Sequence, residues 1–197
     1  MANKSGAWGV KSVKFAPLVK EPSSTKSPFP TKWEEFPMTA IVKDSLSFND
    51  SAPSTNNIEV EDSDNYYAVL ESDAGSEGFT IQTYDMSEKA AAFFFGYKKD
   101  TSGFLVENPK FKIENHAVQI ITRATSEFAS HTFEWANMKL TITKSGTIGK
   151  SGFPNINIEC VKQAVFDNDG NELPSTRWKI DESGKSDDEG HDHSKNV

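Results

Sequence analysis

The stretch EGFTIQTYDMSEKAAAFFFGY, Glu77–Tyr97, decides the fold. Its first part alternates. Phe79 and Ile81 share one parity, with Thr80 and Gln82 on the other, which is the period of a half-buried strand. At Asp85 the pattern changes. Asp85 or Ser87 can cap a helix, and Asp85-x-x-Glu88 has the spacing of a capping box. Ala90, Ala91 and Ala92 favour the helix, and Gly96 can end it. A strand running directly into a helix over 85–97 is therefore expected. Phe93, Phe94 and Phe95 sweep about 200° of that helix at 3.6 residues per turn. One flat core face cannot bury all three. Either the helix is enclosed, or part of it meets a partner chain, so all three are subunit-interface candidates.

On both sides of this unit the period is two. Upstream, Thr39–Val42, Ile58–Glu61 and Tyr66–Leu70 read as strands, separated by loops rich in Ser, Asn, Asp and Gly. Downstream, Phe111–Glu114 alternates and His116–Thr125 forms a longer run. Phe133 and Trp135 share one parity, whereas Met138, Leu140 and Ile142 share the other. The slip at Ala136-Asn137 predicts a bulge. Ile156, Ile158 and Cys160 line one side of a further strand. Asp167–Asn171 is a hairpin turn, with Thr176–Ile180 as a returning strand. Many short alternating strands and a single helix predict a mainly β chain, a β-sandwich or barrel with one flanking α-helix.

Charge divides the 197 residues into three parts. Residues 1–33 hold six Lys and one acid, and their prolines break any helix. They read as an extended arm. Yet Trp8, Val10, Val13, Phe15, Leu18 and Phe29 are too apolar for a solvated arm. It must dock on its own domain or on a neighbour, which adds Trp8 and Phe15 to the interface candidates. Residues 34–180 form the β domain. Residues 181–197 hold six acids and two Lys and almost no apolar group, so a disordered tail is expected there. Within the domain, residues 44–88 contain 11 acids and no Lys or Arg. With an overall charge of -8, a protein that grips nucleic acid by its phosphates is not expected. No run of 18 apolar residues crosses a membrane, and the first residues lack the apolar segment of a secretory signal.

Signals for chemistry are weak. Gly149-Lys150-Ser151 has Lys144 where a phosphate loop needs glycine, and it leads toward a strand. Asp167, Asp169 and Asn171 lack the glycine and glutamate positions of an EF-hand. His191-Asp192-His193 sits in the charged tail, where ordering a metal site costs entropy. His116 and His131 are not accompanied by a nucleophile elbow. The single cysteine, Cys160, lies mid-strand among apolar residues and excludes an internal disulfide framework. Trp8, Trp33, Trp135 and Trp178 could build a sugar-binding platform, but core packing fits Trp135 and Trp178 better. No enzyme activity, metal or cofactor is expected.

The order of elements resembles the major tail tube proteins of long-tailed bacteriophages. The resemblance rests on Phe79, Ile81, Asp85 and Gly96 in the strand–helix unit. It continues through Glu107-Asn108-Pro109, Trp135-Ala136-Asn137 and the closing Phe166–Gly170 hairpin, and spans Ile41 to Ile180. It implies a tail tube fold whose copies close into homohexameric rings through sheet edges. The rings stack into a hollow conduit for DNA ejection in the virion tail. Tail terminator, tape measure and baseplate or tail tip proteins are the implied partners. The acid-rich window suits a wall that does not hold DNA, and Glu59 and Glu61, on one face of their strand, are the lumen-lining candidates. The alternatives are another virion β-protein, such as a capsid decoration or baseplate component, and a carbohydrate-binding β-sandwich.

Overall fold

In a computed structural model, the chain is described over residues 6–33, 35–58, 68–73, 75–150 and 152–181. The elements are β1 Val10–Pro17, β2 Phe36–Met38, β3 Ser47–Phe48, β4 Ser54–Ile58, β5 Ala68–Asp73, β6 Gly78–Thr83, α1 Glu88–Phe95, β7 Lys98–Lys99 and β8 Leu105–Val106. After these come β9 His116–Thr122, β10 Ser130–Ser145, β11 Asn155–Lys162, β12 Val165–Phe166, β13 Glu172–Leu173 and β14 Thr176–Asp181. The protein is mainly β, with a large antiparallel sheet and one short helix.

The sheet runs β2-β1-β9-β10-β11-β6-β3, and β14 also pairs with β10. Its centre is β10, whose 16 residues outrun any single neighbour. On one side it pairs with β9. On the other, β14 takes Ser130–Trp135 and β11 takes Met138–Ser145. The expected slip lies between these halves. The β9 register shifts between Trp135 and Met138, while Ala136 N donates to Ser175 O at 2.8 Å.

The two margins of the sheet meet through one segment. β2 pairs with β1, after which the chain crosses to β6. Ile41 bridges Thr83, Val42 N donates to Gln82 O at 2.9 Å, and Tyr84 N donates to Ala40 O at 3.0 Å. β3 then continues along β6. Residues 36–48 thus close the sheet into a barrel-like form, which leaves fewer backbone groups unpaired at its margins. Thr39–Val42 is a crossing with one bridge rather than the expected strand. Phe111–Glu114 is likewise irregular, and the strand begins at His116.

The helix covers the enclosed core. Ser87 is the cap, its hydroxyl accepting from Ala90 N at 3.2 Å. Asp85 instead accepts from Ser87 N at 2.9 Å and from the Thr39 hydroxyl at 2.6 Å, tying the helix start to the closing segment. Phe94 is 2% exposed and meets Phe15 and Phe36 edge-on at 5.9 and 5.1 Å. Phe93 stacks on Phe36 at 4.6 Å. Burying each such side chain stabilises the fold by about 1.5–3 kcal/mol.

The arm needs correction. Residues 10–17 of the expected 1–33 arm form an inner strand, with β2 on one side and β9 on the other. Phe15 is fully buried and Phe94 nearly so, both in the chain's own core, so neither can serve a subunit interface in this fold. The reason is alternation: Val13 and Phe15 share the face that β1 turns inward. Only the later stretch runs over the outer face, where Phe29 is buried. Residues 182–197 lie outside the described residues.

Gly96 tests the helix end. Its φ is +67°, and a Cβ there would meet the Phe111 ring at 2.1 Å. Gly103 has φ +90° but open space around it. Gly103→Ala is expected to cost about 1–2 kcal/mol from backbone strain alone. Gly96→Ala should cost more because the clash adds to the strain, and thermal melts of the two variants check the order.

Candidate assembly surface

The surface is organised by the point where β10 changes partners. Glu77, just before β6, sits there. Its carboxylate accepts from Trp135 Nε1 at 2.8 Å and from the Thr176 hydroxyl at 3.2 Å, and pairs with Lys162. One side chain therefore fastens β10, β14 and β11 together. Burial works to raise the Glu77 carboxyl, but the hydrogen bonds from Lys162, Trp135 and Thr176 outweigh it and hold it below the usual carboxylate range. On the outer face, Gln119 Nε2 donates to Glu134 at 2.6 Å and Arg177 pairs with the other Glu134 oxygen. The Arg177 guanidinium lies 4.3 Å over the Phe29 ring, which secures the second part of the arm.

Beyond this junction, each end of β10 carries its own apolar patch. At the β14 end, Phe133 lies opposite Trp178, with rings stacked at 5.5 Å. His131 stacks on the same indole at 5.5 Å, and Trp178 Nε1 donates to His131 Nδ1 at 3.0 Å. The buried His131 Nε2 has no hydrogen-bond partner among the described residues. Phe48 adds a fourth ring, 5.8 Å from Phe133. Trp178 is 57% exposed and Phe48 51%, so the expected core placement of Trp178 is wrong. It projects because β14 is a marginal strand, whose other edge pairs with no strand among the described residues. Beside this patch lies a groove of about 960 Å³, lined by apolar side chains including Met38, Ile41, Leu46 and Phe48, with Lys11, Lys43 and Arg123 among them.

At the other end, the β10–β11 hairpin projects Ile148 at 90% exposure and Phe153 at 74%. Phe153 meets Tyr84 edge-on at 6.2 Å. A smaller cleft of about 230 Å³ opens among Met86, Phe95, Tyr97, Leu105 and Ile156. Lys144 lies 4.7 Å over Phe95 and donates to the Tyr97 hydroxyl at 3.2 Å. From Phe133 to Lys144 along β10 is roughly 36 Å at the rise of an antiparallel strand.

The interface candidates separate accordingly. Trp8 is 56% exposed and stacks on Phe128 at 5.9 Å, on the groove wall. Phe95 lines the opposite cleft, and Phe93 is partly buried against the core. Phe15 and Phe94 are core. Glu59 and Glu61, between β4 and β5, lie outside the described residues. Sequence reasoning missed Ile148 and Phe153. Their signal was two large apolar residues within a Lys-, Gly- and Ser-rich loop, where nothing local can cover them. Gly149 and Lys150 lie in the loop that joins β10 and β11, as expected from sequence, and Ser151 lies outside the described residues.

Among the described residues, no group of three or more His, Cys, Asp or Glu could hold a metal ion. No described helix is long and apolar enough to cross a membrane. Cys160 is fully buried, and desolvation, aided by Glu159, pushes its thiol up. The rings at one end of β10 and the hairpin tip at the other leave large apolar side chains on the outside of the described residues.

The junction has a pH signature. Because the Glu77 carboxyl is held below its unfolded value, its contribution is present above that value and lost as pH falls through the lowered one. Wild type should lose stability on acidification below the ordinary carboxylate range. Glu77→Gln should flatten that part of the curve and lower stability near neutrality by about 1–3 kcal/mol, as loss of charged hydrogen bonds does. Chemical denaturation across pH measures both.

No protein-family model matches the sequence, and no curated protein does. Among solved structures, the chain is similar to one titled "Structure of a type six secretion system protein", at 13% identity and a TM-score of 0.30. The match covers 85% of this chain and 92% of that one.

Proposed function

We propose that this chain is a structural subunit of a self-assembled tube, the tail tube of a long-tailed bacteriophage, and not an enzyme. Copies associate into rings of six, the rings stack, and the bore passes DNA into the host. Terminator, tape measure and tail tip proteins meet the finished tube at its ends and bore.

The observation that carries this reading is the pair of unlike apolar patches at opposite ends of β10. A patch that met its own kind would close a two-fold dimer. Two different patches at opposite ends make a head-to-tail contact, which repeats into an open stack. The second edge of β14, which pairs with no strand among the described residues, adds a lateral site for a neighbouring copy. The conduit role draws on charge. The window of 11 acids without a Lys or Arg includes the β4–β5 ribbon, and a wall of that sign leaves phosphodiester chains unbound.

Concentrated protein should form rings or rods with a central channel under negative stain, sedimenting far faster than a monomer. Phe48→Ser, at a half-exposed position, should abolish the rods at a cost to the fold of about 1–3 kcal/mol, since its ring also packs on Phe133 and Trp135, and a circular dichroism spectrum like that of wild type checks that the chain still folds. Wild-type protein that stays monomeric at every concentration and salt would overturn the reading. So would rods unchanged by Phe48→Ser together with Trp178→Ser.

A further inference from the structure

We propose that the groove of about 960 Å³ beside the start of β1 binds an extended acidic segment of a partner protein, laid along the β1 edge with apolar side chains alternating with carboxylates. The inference goes beyond the tube reading and does not depend on it.

The backbone is the first argument. β2 pairs with β1 only at Val13, Lys14 and Phe15, after which the chain leaves for β6. Residues 10–12 belong to β1, and β9 covers one of their edges. On the other edge no strand lies among the described residues. Val10 and Lys11 stand on one wall of the groove and residues 38–46 form the other, so the groove is the space between a strand edge and the crossing segment. An extended peptide fits such a space by adding a strand, its backbone bonding to the edge and its alternate side chains entering the floor.

Side-chain chemistry is the second. The groove is apolar at Met38, Ile41, Leu46 and Phe48. Lys11, Lys43 and Arg123 also line it, against one acid, Asp44. All three cations are exposed, and none forms an ion pair among the described residues. Arg123 Nε donates to the Val10 carbonyl at 3.3 Å, which holds its guanidinium beside the β1 edge. A strand with every second side chain apolar turns one face to the floor and offers its carboxylates to these cations. A long polyanion such as nucleic acid is disfavoured, because the chain as a whole carries -8 and repels it beyond the groove.

The third argument is a preformed shape. The crossing wall is held by the Ile41–Thr83 bridge and by Val42 N, which donates to Gln82 O at 2.9 Å. Ala40, on the same wall, has φ +48°, a conformation that a residue with a Cβ rarely adopts unless its surroundings impose it. On the β1 side, Arg123 N donates to Trp8 O and Gly9 O, each at 3.1 Å, which fixes the approach to the strand. Both walls are set before a ligand arrives, so the protein has little conformational freedom to lose on binding.

Fluorescence anisotropy on dilute, full-length protein tests the site. A short labelled peptide of alternating Glu and Leu should bind at least tenfold more tightly than the matching Lys and Leu peptide, polyglutamate of equal length or a single-stranded oligothymidylate. Lys11→Glu with Lys43→Glu should weaken that binding at least tenfold while the circular dichroism spectrum is unchanged. The bound peptide should slow backbone hydrogen exchange within residues 10–12. Any control ligand that binds as tightly, binding untouched by the double substitution, or exchange unaltered at residues 10–12 would overturn the inference. So would Glu59→Gln with Glu61→Gln protein that binds the peptide at least tenfold more tightly than wild type, since the chain's own acidic segment would then be the occupant. Rods play no part in these readings. Their absence overturns the tube reading alone, and a peptide that fails to bind overturns this inference alone.

Discussion

A strand of 16 residues needs two neighbours on one side, and the structure depends on how that handover is fixed. β14 covers the first part of β10 and β11 the second. Without an acceptor there the Trp135 indole donor would be left unsatisfied, and an unpaired buried donor costs about 1–3 kcal/mol. Glu77 is that acceptor. Its carboxylate holds Trp135 of β10, Thr176 of β14 and Lys162 of β11 at once. Because Glu77 directly precedes β6, the same group also ties the closing strand of the barrel to the handover. Phe133 and Trp178 lie at one end of β10, and Ile148 and Phe153 lie in the loop beyond its other end.

The closing segment 36–48 is the other half of this logic. It leaves β1, crosses, and joins β6. Thr39 and Asp85 link that crossing to the start of α1, while Phe36 lies between Phe15, Phe93 and Phe94. The helix and the crossing therefore hold each other over the core. The groove opens on the far side of the same crossing, so its wall is part of the rigid frame rather than a loose loop.

Much of the fold was legible in local pattern. Phe79 and Ile81 alternate as β6 requires, the parity slip at Ala136-Asn137 marks the handover, and Asp167–Asn171 is a turn whose backbone amides bond to the Asp167 side chain. What failed was non-local. Nothing near Thr39–Val42 says that its apolar residues cross between two strands instead of forming one. Prolines and lysines around Val10–Pro17 suggested an arm, yet its partner β9 lies far along the chain and outweighs that composition. Trp178 alternates like a core residue and is half exposed because its strand, β14, lies at the margin of the sheet. Glu77 carries no sequence mark of its role, since its three partners come from three distant strands.

The pairing of β1 with β9 also shapes how the chain comes into being. Val10–Pro17 leaves the ribosome long before the strand that covers one of its edges, His116–Thr122. Until then its apolar face and one row of amides have no mate. Nascent copies on one message would carry this sticky edge side by side, and sheets of high sequence separation condense slowly. The lysines at positions 11 and 14, spaced along that early strand, place like charges on neighbouring nascent chains and so hinder premature pairing before synthesis is complete.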